Sequence, residues 1–152
     1  MRIKWMQAVI AGLIATAVMT AVGIFVAPLM GLPAMNPAEM LAMQMGGVLI
    51  LGWTAHLMIG TILAVLYAGV APIIPGPAAA RGALYGIAPF LLAQIVVMPV
   101  MGMPLFSGSA ALAMGSLIGH LVYGAVLGAI YSRLAPAAER VEANAGSVRA
   151  AL

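Results

Sequence analysis

The sequence predicts an all-α membrane protein: a four-transmembrane-helix bundle made of two parallel two-helix repeats. Three observations carry that expectation. Of 152 residues, 65% are hydrophobic and 6% charged, and the mean hydropathy is +1.19, so polar groups are too few to solvate a water-borne domain. The charge-free windows 5–38, 40–80 and 82–132 hold about four helices of roughly 20 residues each. A spaced motif also recurs between the two halves of the chain.

Taken in order, span one is expected near 5–28, span two near 46–71, span three near 80–102 and span four near 110–133. The connections Pro28 to Asn36, Pro72 to Pro77 and Pro104 to Ser109 are rich in proline, glycine or serine. Span one follows Arg2 and Lys4 like a signal peptide, but its apolar run exceeds a usual signal h-region, and the repeat requires it, so it is read as retained. Asn36-Pro37-Ala38-Glu39 has the form of a helix N-cap, an N1 proline and an acidic first turn. Helix two is therefore expected to begin near 37, either projecting about two turns beyond the bilayer or breaking at Gly46-Gly47. Residues 1–135 form one transmembrane domain with repeats 5–72 and 80–136, and 136–152 form an Ala-rich cytoplasmic tail, a frayed surface helix or unstructured.

Arg2, Lys4, Arg81, Arg133, Arg140 and Arg149 all fall on one side of this topology. The positive-inside rule then puts both termini in the cytoplasm and the chain in the cytoplasmic (inner) membrane. Trp5, Tyr67, Tyr85 and Tyr131 near the inner ends and Phe106 at the outer turn suit interfacial anchors, or equally helix packing. The net charge of +3 is scattered rather than clustered, which argues against nucleic acid. With no cysteine there is neither a disulfide framework nor a thiolate metal site.

The repeat is specific. His56-Leu57-x-x-Gly60-x-x-Leu63-x-x-x-Tyr67-x-x-x-Ala71-Pro72 returns at an offset of 64 as His120-Leu121-x-x-Gly124-x-x-Leu127-x-x-x-Tyr131-x-x-x-Ala135-Pro136. Pro28-x-Met30-Gly31-x-Pro33 returns at an offset of 71 as Pro99-x-Met101-Gly102-x-Pro104. Each repeat holds an even number of spans, so both copies insert the same way, about a pseudo-two-fold axis along the membrane normal. His56 and His120 then share one depth, about 20 Å of helix from the inner end and near mid-bilayer, and Gln94 falls at a similar depth on span three.

Each histidine lies in a small-residue stripe: Gly52, His56, Gly60 and Ala64 on span two; Ser116, His120, Gly124 and Gly128 on span four. One reading is packing, with spans two and four in contact and the imidazoles bonded across the seam or to Gln94, Thr16 or Thr20. The other is a site, because an ionisable residue inside a membrane marks function by default. In its sharpest form His56 and His120 hold the iron of a b-type haem from opposite faces, with Gly60 and Gly124 leaving room and Gln94 in support, for electron transfer with quinone as a candidate partner. Against it, propionates need cationic or hydrogen-bonding partners, and Arg81 and Arg133 stand about 20 Å down the helix. In architecture the histidine pattern resembles cytochrome b-type four-helix bundles, whose second and fourth helices supply haem ligands.

Of thirteen methionines, nine lie at or near the outer side, and Met40-x-x-Met43-x-Met45 and Met98-x-x-Met101-x-Met103 share one spacing. Thioethers are soft, uncharged ligands that suit Cu(I), and the spacing resembles the Met motifs of copper-handling proteins. Methionine is also a flexible apolar filler, and packing is the competing explanation. No catalytic constellation is present: no span holds Asp or Glu, no serine has an acid nearby to complete a triad, and no phosphate loop or HExxH occurs. Gly52-Trp53-x-x-His56-x-x-x-Gly60 with Tyr67, and Gly119-His120-x-x-Tyr123-Gly124-x-x-x-Gly128, resemble a family of small four-span prokaryotic membrane proteins of unknown function. That likeness implies fold and membrane location only. Three functions stay open: haem b electron carrier, Cu(I) handling, or an accessory subunit of a membrane complex with no cofactor. The expected partners are the bilayer, other membrane subunits or a second copy.

Overall fold

A computed structural model describes residues 4–150, and their side chains as far as residue 134. Arg2, Ala135, Pro136 and the tail side chains, Arg140 and Arg149 among them, lie outside the described set. Four helical stretches are long and apolar enough to cross a membrane: Trp5–Met30, Leu49–Ile73, Ala78–Val100 and Ala110–Leu134. Span one comprises α1 (Trp5–Ala21), a π-helical segment (Val22–Val26) and a 3-10 turn (Ala27–Met30). A short α2 (Pro37–Gln44) precedes span two, α3 (Leu49–Val70). Span three is α4 (Ala78–Leu92), a second π segment (Ala93–Val97) and the single turn α5 (Met98–Val100). Span four opens the long α6 (Ala110–Ala150).

The two π segments sit at the 71-residue offset of the outer repeat. In each, the N–H just ahead of a proline reaches back five residues: Ala27 to the Val22 carbonyl before Pro28, Met98 to the Ala93 carbonyl before Pro99. Proline has no N–H, and its ring crowds the carbonyl four residues back; one wider turn ahead of it relieves that crowding.

The seven residues that separate the two offsets build a helix of their own, not two extra turns on span two. Asn36 Oδ1 accepts from the Ala38 N–H at 3.1 Å and caps α2. The chain then breaks at Gly46 and Gly47, whose φ values of +73° and +79° suit residues without a Cβ. It turns back so that the Ala38 carbonyl and Ala42 lie on Gly52, where any Cβ would collide with them.

Helix α1 packs on α3, α4 on α6, and α1 also on α6. The buried face of α1 is Ala8, Ala11, Gly12, Ala15, Thr16 and Thr20, a helical-period stripe of small residues, while its large aliphatics face outward. This suits a lipid-facing bundle, where close backbone approach rather than apolar burial holds helices together. The stripes of spans two and four do not pack on each other as expected. Gly60 receives Thr16 of α1, and Gly124 meets Gly82 of α4 so closely that a Cβ on either would strike the other's carbonyl. Spans two and four instead meet through tyrosines: Tyr123 Oη donates to the Gly60 carbonyl at 2.6 Å, and the Tyr67 and Tyr131 rings lie edge to face at 6.0 Å. Tyr67, only 2% exposed, and Tyr85, whose hydroxyl donates to the Leu63 carbonyl at 2.8 Å, are therefore packing residues rather than interfacial anchors. Trp5 is 60% exposed, and Phe106 lies against Phe90. With Ala11, Ala15, Ala64 and Leu127 the tyrosines fill the half of the bundle nearer Lys4, Arg81 and Arg133, here the basic end.

Candidate functional site

The opposite half, toward the 31–36 and 101–109 connections (the loop end), is not filled. A cavity of about 190 Å³ lies among the four spans and α2. Gly60, Leu63 and Tyr123 line its floor, directly above the tyrosine layer; His56 and His120 line its walls. Met35, Met40, Met98 and Met101 line it toward the loop end, and Met19 lines it beside Thr16 and Gly23. Among the described residues no Asp, Glu, Lys or Arg lines it.

Both histidines are fixed by one ring nitrogen. His56 Nε2 lies 2.9 Å from Thr20 Oγ1, and Thr20 Oγ1 donates to the Thr16 carbonyl at 2.8 Å. His120 Nδ1 lies 2.8 Å from the Ser116 carbonyl and 3.4 Å from Ser116 Oγ. Among the described residues the histidines share no hydrogen bond; each meets an aromatic ring instead, Trp53 beside His56 at 6.4 Å and Phe90 beside His120 at 6.0 Å.

A polar chain runs from the loop end to His120. Ser107 Oγ donates to Gln94 Oε1 at 2.9 Å, and Gln94 Nε2 donates to Ser116 Oγ at 2.9 Å. Gln94, 1% exposed, sits in the second π segment and is turned into the interior. Phe106 and Ser107 have φ of +53° and +59°, a left-handed backbone that residues with a Cβ seldom adopt. The Ser107 bond to Gln94 is what that turn obtains in return.

Of the residues singled out in the sequence, His56, His120, Gly60, Gln94, Met40, Met98 and Met101 line this one cavity. Gly124 does not: it serves the α4–α6 contact. Met43 is 69% and Met45 44% exposed, and these two and Met103 lie off the cavity, so neither three-Met spacing lines it as a whole. Sequence reasoning missed Met19, Met35 and Ser107. Met19 was discoverable, since it stands three residues after Thr16 and one before Thr20 on the inward face of span one; Met35 and Ser107 lie on connections whose path periodicity does not describe.

Among the described residues no three His, Asp or Glu come together, so a metal here would rest on imidazole and thioether. A haem fits poorly. The cavity is smaller than the roughly 300–1,000 Å³ of pockets for ligands of that size class. Among the described residues no cation lines it to meet the propionates, and the Arg81 guanidinium donates to the Gly76 carbonyl at the basic end.

No curated relative and no solved structure matches the chain. The model of a family of unknown function, DUF6789, matches residues 3–141, which take in all four spans and every cavity residue, and the chain belongs to that family.

Proposed function

We propose that this protein is an intramembrane Cu(I)-binding protein of the cytoplasmic membrane, with the basic end in the cytoplasm, and that it takes the ion from the opposite side. The observation that carries the reading is convergence. Thioethers from both repeats and one imidazole from each meet at a single cavity on which the described residues place no carboxylate. Neutral nitrogen and sulfur donors favour a soft monovalent ion. A divalent ion without carboxylates would remain far more costly in lipid, because the Born penalty grows with the square of the charge. Methionine side chains are flexible enough to close on an ion from a cavity larger than it.

The test is anaerobic competition for Cu(I) against a chromophoric chelator, with detergent-purified protein. One ion per chain is expected, with affinity at least about ten-fold weaker in His56→Ala, in His120→Ala and in a Met98→Leu/Met101→Leu variant. Failure of the unaltered protein to hold Cu(I), or affinity unchanged in the double histidine variant, would overturn the reading. An absorption spectrum of the same sample should be featureless. A Soret band lost in His56→Ala would instead assign the cavity to haem.

A further inference from the structure

The hydrogen-bond inventory around the cavity fixes where the histidine protons are. A carbonyl oxygen only accepts, so the 2.8 Å contact from His120 Nδ1 to the Ser116 carbonyl requires a proton on Nδ1. The neutral ring then carries its lone pair on Nε2, for which the described residues offer no partner. His56 is settled one step further away. Thr20 has one hydroxyl proton, and it is donated to the Thr16 carbonyl. Toward His56 Nε2, at 2.9 Å, Thr20 Oγ1 can therefore only accept, so Nε2 carries the proton and Nδ1 the lone pair.

We infer that His56 and His120 are held as opposite neutral tautomers, Nε2–H and Nδ1–H respectively, and that Thr20 is the positioning residue that sets the first. The two halves of the site thus reach the same result, one lone pair each for the cavity, by different means. His120 is set by backbone, which a side-chain substitution does not remove. His56 is set by a hydroxyl on another span. In both, the protein bonds the nitrogen not used for ligation, the arrangement that orients metal-binding histidines and raises their basicity. The functional consequence rests on the Cu(I) reading; the tautomers themselves do not.

The experiment is a long-range proton–nitrogen correlation spectrum of untagged, ¹⁵N-histidine-labelled protein in detergent at about pH 8, where free imidazole is neutral. The chain has two histidines, so two ring systems appear. One is expected as Nε2–H and one as Nδ1–H, assigned by His56→Gln. Thr20→Val should convert the His56 pattern to a tautomer mixture and weaken Cu(I) binding about ten-fold. Thr20→Ser should restore both, and Ser116→Ala should leave His120 as Nδ1–H. His56 found as Nδ1–H, both rings in one form, or a His56 pattern indifferent to Thr20→Val would overturn the inference. The spectrum of the unaltered protein is decisive even if Thr20→Val fails to fold. On adding Cu(I), His56 Nδ1 and His120 Nε2 should be the nitrogens that shift. The expected tautomers in a protein that ignores Cu(I) would support the inference and overturn the metal reading.

Discussion

Tyr123 is the residue on which the two halves of the bundle turn from packed to hollow. Its hydroxyl donates to the Gly60 carbonyl at 2.6 Å while one edge of the residue lines the cavity floor. Interhelical hydrogen bonds in membranes are worth about 0.6 kcal/mol on average and up to about 1.7. Tyr123→Phe should therefore lower stability by about 1 kcal/mol, read as a reduced thermal midpoint in detergent with the fold retained. Ser107 separates two effects of similar size. Ser107→Ala keeps the left-handed backbone cost and loses the bond to Gln94, so it should destabilise by about 1 kcal/mol. Ser107→Gly loses the same bond but relieves the backbone, and the same measurement should find it close to neutral. At this scale the sequence was informative wherever a polar group stood out against lipid. His56, His120 and Gln94 were visible for that reason. Their partners were less so, since a serine at position 107 gains its role only from where a turn delivers it.

Helical elements were legible because in lipid each span must satisfy its own backbone, which turns hydropathy into boundaries. The four spans follow from that rule. What escaped it was the contact pattern: stripes of small residues say that a helix packs closely, not on which neighbour. The stripe of span four found Gly82 rather than span two. Gly82→Leu should therefore be far more damaging than a leucine at the exposed Ala88 of the same helix, with loss of the monodisperse peak in size-exclusion chromatography. The fold-back of α2 was half legible, since Gly46-Gly47 offered a break that the N-cap signal alone could not choose. Replacing both glycines by alanine forces two left-handed alanines at roughly 1–2 kcal/mol each. Faster hydrogen exchange confined to 37–47 is the expected result, and unchanged exchange there would remove the hinge role of this pair.

Across the whole molecule the asymmetry is between a filled basic half and a hollow loop half. The tyrosine layer separates the cavity from the basic end, so access is from the loop end or from between the spans. The chain has no cysteine, which makes single-cysteine labelling clean. In cells, Ala34→Cys and Ser109→Cys should react with a membrane-impermeant maleimide, and Ala79→Cys should react only after lysis; the reverse pattern would invert the orientation. The two rival signals in the sequence, the histidine pair and part of the methionine clusters, line one cavity only at this scale. Their meeting depends on how the four spans pack on one another, which no spacing within either repeat records.

The paired π segments carry a consequence for how this chain tolerates change. Each holds one more residue than an α-helix would need for the same path, and the wider turn absorbs that surplus without turning the residues beyond it. Removing a single residue within Ala93–Val97 would let the segment relax to ordinary α-helix with every lipid-facing requirement still met. Everything after it would keep its bearing, because the surplus residue is what the wider turn absorbs. Met98 and Met101 would then still line the cavity, whereas a residue removed from the regular α-helix ahead of the segment would swing them by about 100° and carry them off it.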